Sequence, residues 1–197
     1  MSWTDFNAVL KGCEKCLLCH SRTQVVCGAG QTDARIMLLG EAPGGEEDLS
    51  GEPFVGAAGK NLERFLAVAG LKRTDVYIAN TVKCRPVKDG KRGYVNRKPS
   101  SEEIRVCSEW LWQEIALLKP RLLVTLGAVP LALLTGVAPK MLLCHGKECA
   151  VLQQPFGELP VFALYHPAAI IYDRQKEGAF LEDMRLLANL ISERKIM

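Results

Sequence analysis

The sequence predicts an α/β fold in three layers, with a central four-stranded parallel sheet between helices. Two observations carry that expectation. Four short apolar runs, Ile36–Leu39, Val76–Ala79, Leu122–Leu126 and Val161–Leu164, each suit a strand buried on both faces. Segments of helical character separate them, and a strand–helix–strand order calls for right-handed parallel crossovers.

Each element has its own warrant. Thr23–Cys27 reads as a short strand, followed by a turn at Gly28-Ala29-Gly30. Gly40 ends the Ile36–Leu39 run, and Glu41-Ala42-Pro43-Gly44 then turns the chain, because Pro fixes φ and Gly tolerates positive φ. A helix starts near Ala58. Leu62, Phe65, Leu66 and Ala69 recur on one face of it, and Gly70 is a natural cap. Asn80 falls at the end of the second run, on the same sheet edge as Glu41. No apolar periodicity follows until Ser100, which with Glu103 forms a capping box for a helix running to about Lys119. Gly127 to Gly136 brackets a short helix. Met141–Phe156 is irregular and suits a pair of short strands. The last helix sets Phe180, Met184, Leu187, Ala188 and Ile191 on one face.

Length and composition narrow the class. A chain of 197 residues, 48% apolar and 24% charged, suits one globular domain over 1–197. The net charge of +3 permits a nucleic-acid partner without arguing for one. No apolar run reaches membrane-span length, and the first residues lack a signal peptide's basic-then-apolar order. A cytoplasmic protein is expected. In that compartment eight cysteines point to metal or thiol chemistry before disulfides.

Cys13 and Cys16, in CEKC, can bind one centre from a tight turn, but zinc ribbons, iron–sulfur clusters and redox pairs all use this spacing. Cys19 and Cys27 lie too close to contribute easily. Cys84 and Cys107 can join the first pair if the intervening loop folds back. Cys144, His145 and Cys149 lack a nearby fourth ligand and read as ordinary residues.

From Lys83 to Lys98 seven basic residues, Lys83, Arg85, Lys88, Lys91, Arg92, Arg97 and Lys98, stand against one acid, Asp89. Such a run serves either as a solvated face or as a phosphate-contacting loop with Tyr94 as a stacking group. Glu41, Glu46, Glu47 and Asp48 lie just past a buried strand, with Phe54 close behind. Open α/β sheets bind ligands at that position. An ordinary solvated acidic loop is the plainer alternative. His166, one of three histidines, follows the fourth strand and so falls on the edge that holds Glu41 and Asn80.

Taken in order, CEKC, GEAPGGEED, GEPFVGAAG, YIANTVKCRP, the later Cys107 and HPA at His166 resemble the family-4, iron–sulfur uracil-DNA glycosylases over nearly the whole chain. The resemblance implies a [4Fe–4S] cluster on Cys13, Cys16, Cys84 and Cys107. It implies release of uracil from DNA, single- or double-stranded, by a monomer away from membranes. Phe54 would stack on the flipped base, Asn80 would pair with its edge, and Glu47 would crowd the C5 methyl of thymine. His166 would donate to uracil O2, while Glu41 would position water and stabilise the cationic sugar.

The sequence departs from the family in two places. KDGKRGYVN lengthens the Cys84–Cys107 linker, covering the Lys88–Asn96 insertion. Certain relatives carry there a histidine that traps the sugar covalently, and this sequence has none. After HPA the chain reads Ala169-Ile170-Ile171-Tyr172, which assigns the wedge into the base stack to Ile170 or Ile171. Two competing classes are a non-catalytic iron–sulfur module that binds nucleic acid and a zinc-stabilised nucleotide-binding protein using the Gly28–Gly30 and Gly56–Gly59 segments. Intact Glu41, Asn80 and His166 argue against the first. The absence of a phosphate-loop or dinucleotide fingerprint argues against the second.

Overall fold

The computed structural model describes residues 1–91 and 93–197; Arg92, one of the basic residues counted above, lies outside the described residues. The chain opens with α1 (Trp3–Lys11), whose Ser2 and Asp5 cap each other reciprocally. The buried strand β1 (Ile36–Gly40) leads into a short helix α2 (Gly45–Ser50) and then α3 (Ala57–Val68). Next come β2 (Tyr77–Asn80), a hairpin of β3 (Val87–Gly90) and β4 (Gly93–Asn96), and α4 (Ser101–Leu118). The second half runs β5 (Leu122–Leu126), α5 (Ala128–Thr135), α6 (Met141–Cys144), β6 (Lys147–Gln154) and β7 (Gly157–Leu164). It closes with α7 (Ala169–Tyr172) and α8 (Lys176–Glu193).

The sheet order is β2-β1-β5-β7-β6. The first four strands are parallel, as the sequence predicts. A fifth, β6, adds antiparallel to β7 at the edge and occupies much of the stretch predicted as two short strands; α6 occupies its start. β6 is half exposed, so it lacks the continuous apolar run that betrays a strand buried on both faces. Thr23–Cys27 is not a strand. That segment instead continues along the outer side of β2, where Val26 N–H donates to Lys83 O and Ala29 and Ile78 exchange both backbone bonds. It thereby covers part of an open sheet edge.

Alternate residues of the buried strands face opposite layers. Ile36, Leu38 and Val124 pack with Leu62 and Phe65 of α3 and Phe180 and Met184 of α8. The Phe65 and Phe180 rings stack at 4.2 Å between centroids. Met37, Leu39 and Leu123 pack on Leu111 and Ile115 of α4 and Leu131 of α5. A satellite core formed by Phe6, Leu10, Leu18, Val25 and Trp110 sits beside the main one and holds several of the cysteines. Among the described residues no helix is long and apolar enough to cross a membrane.

β1 lies between β2, which follows it, and β5, which comes next in the sheet, so the strand order reverses at β1. Open sheets form their ligand crevice beyond the carboxyl ends of the strands at such a reversal.

Candidate functional site

Glu41, Glu47, Phe54, Asn80 and His166 all line one cleft of about 560 Å³ at that carboxyl edge. The sheet explains how residues so far apart in sequence meet. Gly40 is in register with Asn80. Thr81 secures the two strand ends, donating from both its backbone N–H and its Oγ1 to Gly40 O at 2.9 Å. Glu41 thus leaves β1 beside the point where Asn80 ends β2, and His166 follows β7 two strands away.

Gly40 shapes the floor of the cleft. A Cβ there would overlap Asn80 Oδ1 and lie 2.7 Å from two ring carbons of Phe54, so only glycine lets amide and ring lie against the strand. Phe54 itself has φ +55°, a left-handed backbone that costs a non-glycine residue roughly 1–2 kcal/mol. Its neighbours hold it there. Glu47 Oε1 accepts from the amides of Val55 and Gly56 at 3.0 and 2.9 Å, while Oε2 accepts from Gly44 at 3.0 Å. Arg73 donates to the carbonyl of Phe54 at 3.0 Å and to that of Pro53. Gly59 leaves room for the Phe54 carbonyl, which a Cβ would overlap.

Asn80 is 2% exposed, and its Oδ1 is one of two buried side-chain polar atoms without a hydrogen-bond partner among the described residues. A buried acceptor without a donor loses free energy of about 1–3 kcal/mol, so a cleft that keeps one suits a ligand with an N–H to offer. His166 stands opposite the Phe54 ring, with 5.7 Å between centroids. Burial lowers its pKa to about 4, although Glu47 pulls the other way. It is therefore neutral at pH 7. Its Nδ1 accepts from Ala168 N–H at 3.1 Å, which leaves the ring proton on Nε2. Burial raises the Glu41 carboxyl above its usual 4.5, with Lys98 opposing the shift.

Asn96, Arg97, Lys98 and Tyr172 also line the cleft, where no strand end in the sequence predicts them. The signal for the first three was the basic run. Arg97 is held in a bidentate pair with Glu103 at 2.6 and 2.8 Å. For the wedge, the structure removes one of the two expected residues: Ile170 is 5% exposed and belongs to the core, because it points back onto α8. Ile171 is 49% exposed and Tyr172 is 89% exposed.

The second constellation is a void lined by Cys13, Cys16, Cys84 and Cys107. It shares no lining residue with the cleft, and Cys19 and Cys27 are absent from its wall. Three N–H groups point at its sulfurs. Arg22 Nη1 lies 3.3 Å from Cys84 Sγ, Lys83 N 3.3 Å from Cys107 Sγ, and Trp110 Nε1 3.2 Å from Cys13 Sγ. Burial pushes the Cys84 thiol up to about 11 and the Cys107 thiol up to about 12, so both stay protonated unless a cationic centre joins them. Among the described residues no three His, Cys, Asp or Glu side chains converge tightly enough to grip a single metal ion. The cysteines ring a space instead, and this sulfur-only donor set with N–H donors behind it suits an iron–sulfur cluster.

Lys83 and Glu114 form a salt bridge between the void and the sheet, at 1% and 0% side-chain exposure. Tyr77 OH donates to the other Glu114 oxygen at 2.8 Å. Cys144, His145 and Cys149 are outside both sites. His145 Nδ1 is 2.9 Å from both oxygens of Asp183, and its ring stacks on Tyr165.

A central, mostly parallel sheet between helices is the architecture that the sequence resemblance implied. The signature of the uracil DNA glycosylase superfamily matches residues 27–187, and the chain belongs to that superfamily. Within it, the chain is similar to three proteins named type-4 uracil-DNA glycosylase. The one from Archaeoglobus fulgidus is 36% identical over 98% of this chain and 96% of its own length. Those from Saccharolobus solfataricus and Thermotoga maritima are 37% and 36% identical, over 95% and 93% of this chain and 85% and 92% of their own lengths.

Proposed function

We propose that this chain is a DNA repair enzyme that hydrolyses the N-glycosidic bond of uracil in DNA and leaves an abasic site. One observation carries the reading: the orphaned Oδ1 of Asn80, buried in a cleft beside a flat ring and a neutral histidine.

The base has to leave the duplex stack to reach a sheet edge. Phe54 stacks on it. Asn80 accepts from uracil N3–H and donates to O4, a pattern that cytosine mismatches at a cost. Glu47 crowds the C5 methyl of thymine, and its hold on the loop keeps the Phe54 ring in place. Ile171 and Tyr172 are the residues available to fill the vacated stack. As the C1′–N1 bond breaks, its electron pair leaves with uracil. The charge gathers on O2, where His166 Nε2–H meets it as a fixed donor from a neutral ring. Glu41, as carboxylate, stabilises the cationic sugar and orients the water whose oxygen bonds to C1′, and its proton passes to that carboxylate.

The four cysteines of the void hold a [4Fe–4S] cluster. When bound, the cluster supplies an anchor for the loop after β2. The same reading treats residues 1–197 as one domain that acts as a monomer in the cytoplasm.

Incubating the purified protein with uracil-containing oligonucleotides, single- and double-stranded, should yield abasic sites. No abasic sites on either substrate sinks the proposal. Asn80→Asp should lose uracil selectivity and release cytosine, since a carboxylate only accepts. For the cluster, anaerobic preparations should contain iron and sulfide in equal amounts, and Cys84→Ala or Cys107→Ala should abolish the colour while Cys144→Ala and Cys149→Ala keep it. Stoichiometric zinc without iron rules the cluster out.

A further inference from the structure

The hairpin of β3 and β4 belongs to the insertion that the family resemblance leaves without a role. Val87 pairs with Asn96 and Asp89 with Tyr94, so these four side chains share one face of the hairpin. Lys88 and Val95, which also pair, occupy the other. Asn96 lines the cleft and is fixed there by Arg85, whose Nε donates to its Oδ1 at 2.7 Å. Tyr94 therefore stands on the cleft-side face. It is two residues farther out than Asn96, about 7 Å along the strand, and 59% exposed.

An exposed ring just outside a cleft that takes a nucleotide meets the next nucleotide of the same strand. Charge favours the same occupant. Lys98 lines the cleft and Lys91 lies exposed at the hairpin tip, both open to phosphates. Asp89, directly across from Tyr94, would repel a phosphate at the ring itself, so the ring meets a base. A base offers its flat face to a ring only when unpaired and unstacked.

We propose that Tyr94 is a stacking platform for an unpaired base adjacent to the flipped uracil. The inference rests on the cleft accepting uracil as proposed above. It commits to DNA as the occupant of this face.

The test compares the wild-type chain, Tyr94→Ala and Tyr94→Phe by fluorescence anisotropy. One single-stranded oligonucleotide carries uracil between ordinary bases, and a second carries it between abasic spacers. Tyr94→Ala should bind the first about tenfold more weakly than wild type, the low end for loss of one stacked base. Tyr94→Phe should bind as wild type does, and the spacers should erase the difference between wild type and Tyr94→Ala. In uracil release the change should fall on KM rather than kcat. Equal binding by wild type and Tyr94→Ala overturns the platform, as does a deficit that persists on the spacer oligonucleotide. Failure of the wild type to release uracil, with the binding pattern intact, overturns the glycosylase reading and leaves the platform standing.

Discussion

The cleft and the cysteine void come within four residues of each other along the chain, at Asn80 and Cys84, and they are built on opposite principles. Every residue proposed for the cleft sits at or just past the end of a buried parallel strand, or on the loop that Glu47 anchors. Backbone bonds fix those positions before any ligand arrives. The void draws its sulfurs from the turn after α1, the loop after β2 and the side of α4. Burial keeps the Cys84 and Cys107 thiols protonated, and each of them meets a single N–H group. A sheet edge is formed by folding; a sulfur cage is completed by what enters it. The buried Lys83–Glu114 pair stands between the void and the sheet that carries the cleft.

That boundary is the place to break the comparison hardest. Glu114→Ala strands the Lys83 ammonium at 1% exposure and should lower stability by about 3–5 kcal/mol. Urea unfolding measures it, and Lys83→Met combined with Glu114→Leu should recover most of the loss. A loss below about 1 kcal/mol would mean that the two regions do not depend on this pair.

A second variant separates the regions chemically. His166→Ala should slow single-turnover uracil release by roughly a hundredfold or more, as when an oxyanion donor is lost, while binding to uracil-containing DNA and iron content stay as they are. Full rate in this variant would move the chemistry elsewhere.

The gentlest test is pH. In the proposed reaction Glu41 acts as a carboxylate, and burial raises its pKa above 4.5, so the rate should fall as pH drops through a value above the ordinary carboxylate range. His166 stays neutral down to about 4 and adds nothing before then. A single-turnover pH profile should therefore keep its acid limb in His166→Ala and lose it in Glu41→Gln. The reverse pattern would exchange the two roles.

The same contrast explains what the sequence revealed. Ile36–Leu39 and Leu122–Leu126 announce themselves because a strand buried on both faces must be apolar throughout. Once they are placed, Glu41, Asn80 and His166 follow from position alone. The β3–β4 hairpin is hidden because its described residues are mostly exposed and show no apolar alternation. For the same reason β6 is legible only as a pair of short strands and not as one edge strand beside β7. The sequence leaves Ile170 and Ile171 equal because hydropathy does not say which side of a one-turn helix faces the core. Glu47 as an anchor was illegible: its partners are backbone amides, which every residue but proline possesses.

Phe54 carries a consequence for folding order. Its backbone favours glycine or asparagine, yet the position holds a large ring, so local preference and native structure disagree there. A segment in that state has no reason to adopt its native turn early. It waits for Glu47 from one side and Arg73 from the other. The Phe54 wall of the cleft is then among the last parts of the chain to lock and the first to open. Hydrogen exchange at the Val55 and Gly56 amides, slow only while Glu47 holds them, would time that event against the strands beneath it.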